Sequence, residues 1–289
     1  MTDLKNAIIS SGTLTLGGNL TVHRLGFGTM RITGKGIWGP PANKTEVLAV
    51  LRRAVELGIN FLDTADAYGP EVSENLIAEA LFPYPSGLVI ATKGGYTRSG
   101  PDRWTPDGRP EHLRSVLEGS LKRLRLERID LYQFHTPDPK VPFEESVGEL
   151  VRLQQQGKIR HIGLSNVTVA QLEQARRLTP IVSVQNRYNI LDRASEDLVD
   201  VTEREGIGFI PWFPLATGDL AQHGSVLDKI AQAHQATPSQ VALAWLLQRS
   251  KTMLPIPGTS TVKHLEENIA GAALHLSKQD FQEIASLRE

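Results

Sequence analysis

Cysteine is absent from this sequence of 289 residues. Its absence excludes disulfides, thiolate nucleophiles, cysteine-ligated zinc and iron–sulfur clusters, and we expect no metal site. An excess of one charge is absent as well, because 31 Lys and Arg residues are balanced by 32 Asp and Glu residues, which gives a formal net charge of −1. A chain without a large positive field is not expected to bind nucleic acid or an anionic membrane surface.

Long apolar runs are also missing. The longest, such as Val241–Leu247, fall well short of the ~20 apolar residues that a membrane span needs. The first residues, MTDLKNAIISSG, contain no basic segment followed by an apolar one, so no secretory signal is visible and the cytoplasm is the expected compartment. Hydrophobic residues make up 40% of the chain and charged residues 22%, which excludes wholesale disorder. We expect one domain over residues 1–289, because α/β barrels of ~250 residues form single domains.

Short β-rich runs alternate with longer amphipathic runs, a pattern typical of βα units around a parallel sheet. The eight predicted strands are Leu25–Met30, Asn60–Asp63, Leu88–Lys93, Asp130–His135, Ile159–Leu164, Ile181–Gln185, Gly208–Trp212 and Met253–Ile256. The main predicted helices are Lys44–Leu57, Pro110–Leu124, Phe143–Gln156, Ser195–Glu205 and Ser239–Arg249. This α/β pattern favours a closed (β/α)8 TIM barrel. A doubly wound sheet is the rival, but the turn after the first strand lacks the GxGxxG spacing that such a sheet usually carries.

Two segments lie outside this alternation. Residues Thr13–Val22 alternate in polarity around Gly-Gly-Asn, which predicts a β-hairpin before the barrel that closes its lower end. Residues 226–231 carry apolar side chains at helical spacing and predict an extra helix after the seventh strand.

Four polar side chains fall at or near the carboxyl ends of consecutive predicted strands, where the active site of a barrel lies. Asp63, Lys93 and His135 each end a strand, and Tyr68 follows Asp63 by five residues. Taken singly, each residue also fits a structural role, as a cap, a solvated amine, a rim aromatic or a hydrogen-bonded imidazole. Their coincidence at one barrel mouth indicates a catalytic site.

The chemistry of these four groups fits proton transfer to a carbonyl oxygen. A phenol with a pKa near ~10 gives up its proton poorly, and an adjacent ammonium is expected to lower that pKa. A carboxylate holds the ammonium in place, and a neutral imidazole hydrogen-bonds the oxygen that the phenol protonates. None of the four supplies a hydride, so a cofactor is implied.

Residues 63–69 (DTADAYG), 92–93 (TK) and 134–135 (FH) resemble the catalytic motifs of the aldo-keto reductases. The resemblance continues through residues 162–166 (IGLSN), 184–189 (VQNRYN), 211–215 (PWFPL) and 255–260 (PIPGTS), and so covers nearly the whole chain. It implies a (β/α)8 barrel with an N-terminal hairpin plug that reduces aldehydes or ketones with NADPH. Tyr68 would be the general acid, Asp63 and Lys93 would tune it, and His135 would orient the carbonyl.

The same resemblance implies a cofactor site. Its residues would be Gly28, Thr29, Met30, Asp63, Ser165, Asn166, Gln185, Trp212, Phe213, Leu215, Gly218, Ile256, Gly258, Thr259, Ser260, His264, Glu267 and Asn268. Ser165, Asn166 and Gln185 would bond the nicotinamide carboxamide. Trp212 would stack on the nicotinamide ring, where the family usually has Tyr.

The adenosine end departs from the pattern of strongly NADPH-preferring members. Gly258 stands at the usual Lys position and His264 near the usual Arg position, while Thr259, Ser260 and Lys263 remain for a 2′-phosphate. Hydroxyls and backbone N–H groups at a helix start bind phosphate. NADPH is the favoured cofactor, with use of NADH left open.

Two loops are expected to wall the substrate pocket, one carrying Trp38 and the other Tyr96 and Trp104. The chain ends soon after Ser277, so we expect no long C-terminal substrate loop of the steroid-handling kind. Residues 38–41 (WGPP), 154–158 (QQQGK) and 257–260 (PGTS) resemble a bacterial branch close to pyridoxal reductases.

Two other functions stay open from the sequence. One is a cofactor-sensing auxiliary subunit of the same fold with little turnover, and the other is a (β/α)8 enzyme that uses Lys93 as a Schiff-base nucleophile. The expected partner is a small-molecule carbonyl compound, and the expected assembly is a monomer or a weak homo-oligomer. The sequence does not name the substrate.

Overall fold

The computed structural model describes residues 2–215 and 226–287, which alternate between strands and helices. The strands are β1 (Thr13–Leu16), β2 (Leu20–His23), β3 (Phe27–Gly28), β4 (Phe61–Asp63), β5 (Val89–Gly94), β6 (Tyr96–Gly100), β7 (Arg103–Pro106), β8 (Ile129–Phe134), β9 (Ile159–Ser165), β10 (Ile181–Arg187) and β11 (Gly208–Trp212). The helices are α1 (Thr2–Ser10), α2 (Lys44–Glu56), α3 (Val72–Leu81), α4 (Pro110–Leu124), α5 (Phe143–Gln155), α6 (Val169–Arg176), α7 (Glu196–Glu205), α8 (Val226–Ala233), α9 (Pro238–Arg249), α10 (Val262–Ala270) and α11 (Lys278–Ala285). None of these described helices combines the length and the apolar character that crossing a membrane requires.

A curled sheet of seven parallel strands forms the barrel wall, in the order β3-β4-β5-β8-β9-β10-β11. The predicted barrel strands from Asn60 to Trp212 are confirmed to within one or two residues at each end. The first strand is shorter than predicted, because the chain turns into a 3-10 helix at Met30–Ile32 and the Thr29 N–H donates to the Asp63 carbonyl.

The eighth predicted strand, Met253–Ile256, is wrong as a regular strand. Pro255 and Pro257 have no N–H to donate, so a continuous ladder does not form there. The segment nevertheless lies in the eighth position, since the Leu254 N–H donates to the Phe209 carbonyl and the Gly26 N–H donates to the Pro255 carbonyl. These bonds connect β11 to the start of β3 and close the barrel.

The predicted hairpin is confirmed, with β1 paired antiparallel to β2. Its Leu16, Leu20 and Val22 are buried together with side chains that point into the barrel, among them Phe61 and Leu131. The hairpin therefore fills the end of the barrel from which the strands start, and the opposite end stays available for a site.

The predicted helices are confirmed with shifts of one residue at most, and the apolar residues 226–231 lie in α8. Thr237 caps α9 by accepting from the Gln240 N–H, and Pro238 occupies its first turn. Helix α1 was not predicted. It packs against α10 and buries Ala7 and Ile8, the apolar residues by which the sequence could have indicated it.

The predicted loop Gly94–Arg109 contains an unpredicted antiparallel pair, β6 and β7. It follows directly on β5, so it stands at the carboxyl-end mouth of the barrel. A second loop lies beside it, because the Asp102 N–H donates to the Gly36 carbonyl.

Candidate active site

The four predicted catalytic side chains converge at the mouth of the barrel. Asp63 ends β4, Lys93 lies in β5, His135 directly follows β8, and Tyr68 lies in the turn after β4. The Lys93 Nζ donates to Asp63 Oδ2 over 2.6 Å, to the Thr64 carbonyl over 2.9 Å and to Tyr68 Oη over 3.1 Å. Lys93 is fully buried and is not a solvated strand-end amine.

The Asp63 carboxylate is held by three donors. Besides Lys93, the Nε2 groups of Gln133 and Gln185 donate to Asp63 Oδ1 over 3.0 and 2.8 Å. Gln133 was not predicted. Its signal is its position two residues before His135 in the predicted strand Asp130–His135, a spacing that places both side chains on one face. The three bonds compensate the carboxylate for the loss of water and fix its direction.

The expected lowering of the Tyr68 pKa is wrong in its net sign. Burial raises the pKa of Tyr68, and the neighbouring Lys93 ammonium offsets only part of that effect. The phenol is therefore firmly protonated at neutral pH. Burial on its own lowers the pKa of Lys93, but attraction to Asp63 and Tyr68 outweighs it, so the pKa of Lys93 is raised and the amine stays charged.

His135 carries a neutral imidazole, as expected. Burial, with added repulsion from Lys93 and Arg98, holds the pKa of His135 well below its usual value. Its ring contacts Tyr96 and Tyr68 edge to face, with centroids 4.7 and 5.8 Å apart. The buried Nδ1 has no hydrogen-bond partner among the described residues.

A cavity of about 520 Å³, here called the main cavity, opens beside these groups. That volume falls within the ~300–1,000 Å³ of small-molecule sites. The predicted residues that line it are Gly28, Met30, Asp63, Tyr68, Tyr96, Trp104, His135, Ser165, Asn166, Gln185, Trp212, Phe213, Leu215, Ile256 and Gly258. The lining residues that the sequence did not single out are Arg31, Ile37, Asp102, Pro214 and Pro257.

A second cavity of about 510 Å³, here called the side cavity, shares Met30, Arg31, Ile37, Asp102 and Gly258 with the main cavity. It is lined further on by Thr259 and Ser260, two of the residues predicted at the adenosine end. Together the cavities form a path that runs from Tyr68 to the start of α10.

Several predicted site residues lie apart from the cavity walls. Thr29 is buried and donates through Oγ1 to the Asp63 carbonyl, and Trp38 lies 5.8 Å from the Arg98 guanidinium. His264, Glu267 and Asn268 lie on α10 beyond Ser260, and Lys263 beside them is exposed. Gly218 lies outside the described residues.

Asn166 connects two of the predicted groups. Its Nδ2 donates to the His135 carbonyl over 3.0 Å and to Ser165 Oγ over 3.2 Å, and its Oδ1 accepts from Trp212 Nε1 over 3.0 Å. Both ends of the Asn166 amide are therefore used within the protein. Of the three predicted carboxamide-binding residues, Asn166 is therefore placed to orient its neighbours Ser165, His135 and Trp212.

Two glycines form the floor between the cavities. A Cβ on Gly28 would lie 2.5 Å from the Ile256 carbonyl oxygen, and a Cβ on Gly258 would lie 2.5 Å from the Gly28 carbonyl oxygen. Real Cβ atoms do not approach backbone oxygens that closely, so both positions require glycine. At these two positions the wall of the main cavity is therefore bare backbone without a side chain.

Comparison with known proteins gives consistent matches. The family model described as the Aldo/keto reductase family matches residues 24–289. An uncharacterised oxidoreductase of Schizosaccharomyces pombe is 50% identical over 274 residues, which cover 95% of this chain and 89% of that protein. Pyridoxine 4-dehydrogenase of Escherichia coli is 44% identical over 278 residues, which cover 94% and 96%.

Solved structures match the whole fold. A thermostable aldo-keto reductase, solved with the inhibitor epalrestat, superposes with a TM-score of 0.85 at 32% identity and covers 95% of this chain and 99% of that chain. An aldo-keto reductase from Klebsiella pneumoniae, solved in complex with NADP and acetate, gives a TM-score of 0.79 at 25% identity, covering 94% and 93%. The similarity to these structures confirms the predicted (β/α)8 barrel.

Proposed function

The chain belongs to the aldo/keto reductase family, a family of oxidoreductases, and we propose that it reduces aldehydes or ketones to alcohols with NADPH, using Tyr68 as the proton donor. The observation that carries this proposal is the Lys93 Nζ, which lies 3.1 Å from a Tyr68 hydroxyl at the cavity wall and 2.6 Å from Asp63. A phenol, an ammonium and a carboxylate in series can donate a proton. Burying this charged pair costs free energy, and a purely structural role does not require it.

The shape of the two cavities fits a dinucleotide. Gly28 and Gly258 line the main cavity with bare backbone, and Gly258 also lines the side cavity, which leaves room for an extended ligand along both. Ser165, Gln185 and Trp212 line the main cavity on the side proposed for the nicotinamide. Because Gln185 Nε2 already donates to Asp63, the Gln185 side-chain carbonyl oxygen would accept a hydrogen bond from the carboxamide NH2 of the cofactor. Thr259 and Ser260 line the side cavity, where a 2′-phosphate would lie. A structural relative from Klebsiella pneumoniae is solved with NADP, which supports the same cofactor here.

The cofactor, when bound, supplies the hydride that the chain itself lacks. The protein's own part is to bind the carbonyl oxygen and to protonate it. Neutral His135 donates an N–H to that oxygen, and Tyr68 donates its proton as negative charge develops there. The charged Lys93 then stabilises the phenolate that Tyr68 becomes, so its attraction is strongest at the moment of reaction. Asp63, with its two glutamine donors, keeps Lys93 charged and in place.

Lys93 does not fit the Schiff-base alternative. A Schiff-base lysine needs a neutral, accessible amine. Lys93 is fully buried, its three hydrogen bonds use all its donors, and its pKa is raised. The cofactor-sensing alternative keeps the same groups and differs only in turnover, so a rate measurement separates it from the proposed function.

The substrate proposed first is pyridoxal or a similar aromatic aldehyde. The relative from Escherichia coli is named pyridoxine 4-dehydrogenase, and pyridoxal is the aldehyde that corresponds to that alcohol. The rings of Tyr96, Trp104 and Trp212 line the main cavity, and flat aromatic faces suit a flat ring. The cytoplasmic location, the single domain and the monomeric or weakly oligomeric state stay predictions.

The test is a panel of aldehydes and ketones that includes pyridoxal, 4-nitrobenzaldehyde and propanal, followed by loss of NADPH absorbance. The account expects multiple turnovers with at least one aromatic aldehyde and a lower dissociation constant for NADPH than for NADH. Tyr84→Phe serves as a matched variant, since Tyr84 Oη bonds the Leu124 carbonyl away from the cavities, and it should keep the wild-type rate. Binding of NADPH without turnover on any member of the panel would favour the sensor alternative.

A further inference from the structure

Arg98, in β6, bonds three separate segments at the barrel mouth. Its five N–H groups all donate to backbone carbonyl oxygens, at 2.9 to 3.3 Å, and the acceptors belong to Gly36, Ile37, Ala67, Gly100 and Arg103. A guanidinium has five N–H donors, so none is left over. The Asp102 carboxylate is close enough to raise the pKa of Arg98, although burial lowers that pKa overall. Among the described residues, no carboxylate lies within 4.0 Å of the Arg98 guanidinium.

The three segments are those that surround the predicted substrate pocket in the main cavity. Gly36 and Ile37 belong to the loop after the 3-10 helix, Ala67 immediately precedes Tyr68, and Gly100 and Arg103 belong to the β6–β7 pair. Other backbone bonds between these segments run from the Asp102 N–H to the Gly36 carbonyl and from the Gly39 N–H to the Gly69 carbonyl. Arg98 thus connects the residue before the proton donor to both loops that wall the cavity.

The guanidinium also supports an aromatic wall. It lies 3.6 Å from the centroid of the Trp104 ring, a close stacking distance. Trp104 in turn contacts Tyr96, His135 and Tyr68 edge to face, at 5.4, 6.2 and 6.3 Å between centroids. The orientation of Trp104, and with it one face of the main cavity, therefore depends on Arg98.

We propose that Arg98 is a positioning residue for substrate selection, which fixes Trp104 and the loop at Ile37 so that the main cavity admits flat aromatic carbonyl compounds. This inference rests on the proposed carbonyl reduction. Arg98 does not touch the reacting atoms, since it lies behind Trp104 and does not line the main cavity. A lysine does not replace it, because one ammonium has three donors and no planar face to stack on the indole.

The test compares Arg98→Met and Arg98→Lys with Arg103→Met, a matched control on the same β6–β7 pair whose side chain is exposed. The readout is the ratio of kcat/KM for 4-nitrobenzaldehyde to kcat/KM for propanal. We expect both Arg98 variants to lower this ratio, by about 10- to 100-fold for Arg98→Met, because a displaced indole costs an aromatic substrate its packing. Arg103→Met should keep the wild-type ratio, and all three should keep the wild-type affinity for NADPH. A purely structural role would lower both rates alike and leave the ratio unchanged, which would overturn the proposal.

A second readout needs no turnover. Acrylamide quenching of tryptophan fluorescence, with each variant compared with the same variant carrying Trp104→Phe, isolates the signal of Trp104. We expect Trp104 to become more accessible in Arg98→Met and Arg98→Lys and unchanged in Arg103→Met. Unchanged quenching in the Arg98 variants would contradict the positioning role even if no carbonyl compound is reduced. This measurement therefore tests the positioning role independently of the proposed function. If Arg98→Met does not fold, Arg98→Lys decides both readouts.

Discussion

Trp212 Nε1 donates a hydrogen bond to Asn166 Oδ1 over 3.0 Å, so a polar contact fixes the indole at the cavity wall. The same Asn166 donates to the His135 backbone carbonyl, which connects the proposed nicotinamide platform to the residue proposed to orient the substrate carbonyl. One asparagine thereby contacts both the Trp212 indole and the His135 backbone at the cavity.

Trp212→Phe keeps an aromatic face and removes that hydrogen bond. Since one neutral hydrogen bond contributes ~0.5–1.5 kcal/mol net, we expect NADPH affinity to fall about 2- to 10-fold. Calorimetric titration measures the dissociation constant. Trp38→Phe is the control and should leave it unchanged, because Trp38 does not line either cavity. Equal affinities of Trp212→Phe and wild type would show that Asn166 does not hold the platform.

Gly258→Ala should weaken both cofactor binding and folding. Its Cβ would lie 2.5 Å from the Gly28 carbonyl oxygen, so the backbone at the cavity floor must move. Overpacking of this kind typically costs ~1–3 kcal/mol. Gly148→Ala, in α5 with open space around its Cβ, should leave stability equal or raised by up to ~1 kcal/mol. Urea unfolding compares the two, and a Gly258→Ala variant as stable as Gly148→Ala would contradict the need for glycine.

The stability of the fold should depend on His135 below neutral pH. The pKa of folded His135 lies well below its usual value, so the unfolded chain binds the extra proton first and stability is lost as the pH falls below ~6.5. This histidine alone should lower the free energy of unfolding by on the order of 1 kcal/mol between about pH 7.5 and pH 5.5. His135→Asn should lose that much less than wild type over this range in urea unfolding. The exposed His275→Asn should follow wild type, and parallel behaviour of all three would contradict a buried neutral imidazole.

Gln133→Leu should destabilise the Asp63 carboxylate, which would keep only Gln185 at its Oδ1. The loss of a donor to a charged group costs ~1.5–3 kcal/mol, so we expect the free energy of unfolding to drop by about that amount. Turnover should drop as well, because a less firmly held Asp63 holds Lys93 less well. Gln279→Leu on exposed α11 should change the free energy of unfolding by under ~0.5 kcal/mol. A Gln133→Leu variant with normal stability and turnover would remove Gln133 from the site.

Asp63, Lys93 and His135 are predictable from the sequence because each ends a short apolar run and parallel strands bring their carboxyl ends together, and Tyr68 is predictable from its place in the turn after Asp63. The prediction of an eighth strand is wrong because Met253–Ile256 is apolar enough for a strand, while Pro255 and Pro257 remove the donors that a ladder needs. The β6–β7 pair carries polar residues with no clean alternation, a pattern that predicts a loop.

Other features depend on distances that no local pattern contains. The bonds of Arg98 reach back 31, 61 and 62 residues, to Ala67, Ile37 and Gly36. The net shift of the Tyr68 pKa depends on the balance between burial, which raises it, and the Lys93 charge, which lowers it. The degree of burial is known only from the folded barrel. The sequence therefore predicts the four proposed catalytic residues but not Gln133 and Arg98, which hold their neighbours in place.

The central claim is that Tyr68 protonates the carbonyl, and single-turnover hydride transfer tests it most directly. Tyr68→Phe, loaded with NADPH and mixed with 4-nitrobenzaldehyde, removes the hydroxyl bonded to Lys93 and keeps the ring. General acid catalysis contributes ~10²–10⁴-fold, so we predict a rate lower by at least about 100-fold at unchanged NADPH affinity. A Tyr68→Phe variant that keeps most of the wild-type rate would contradict the account.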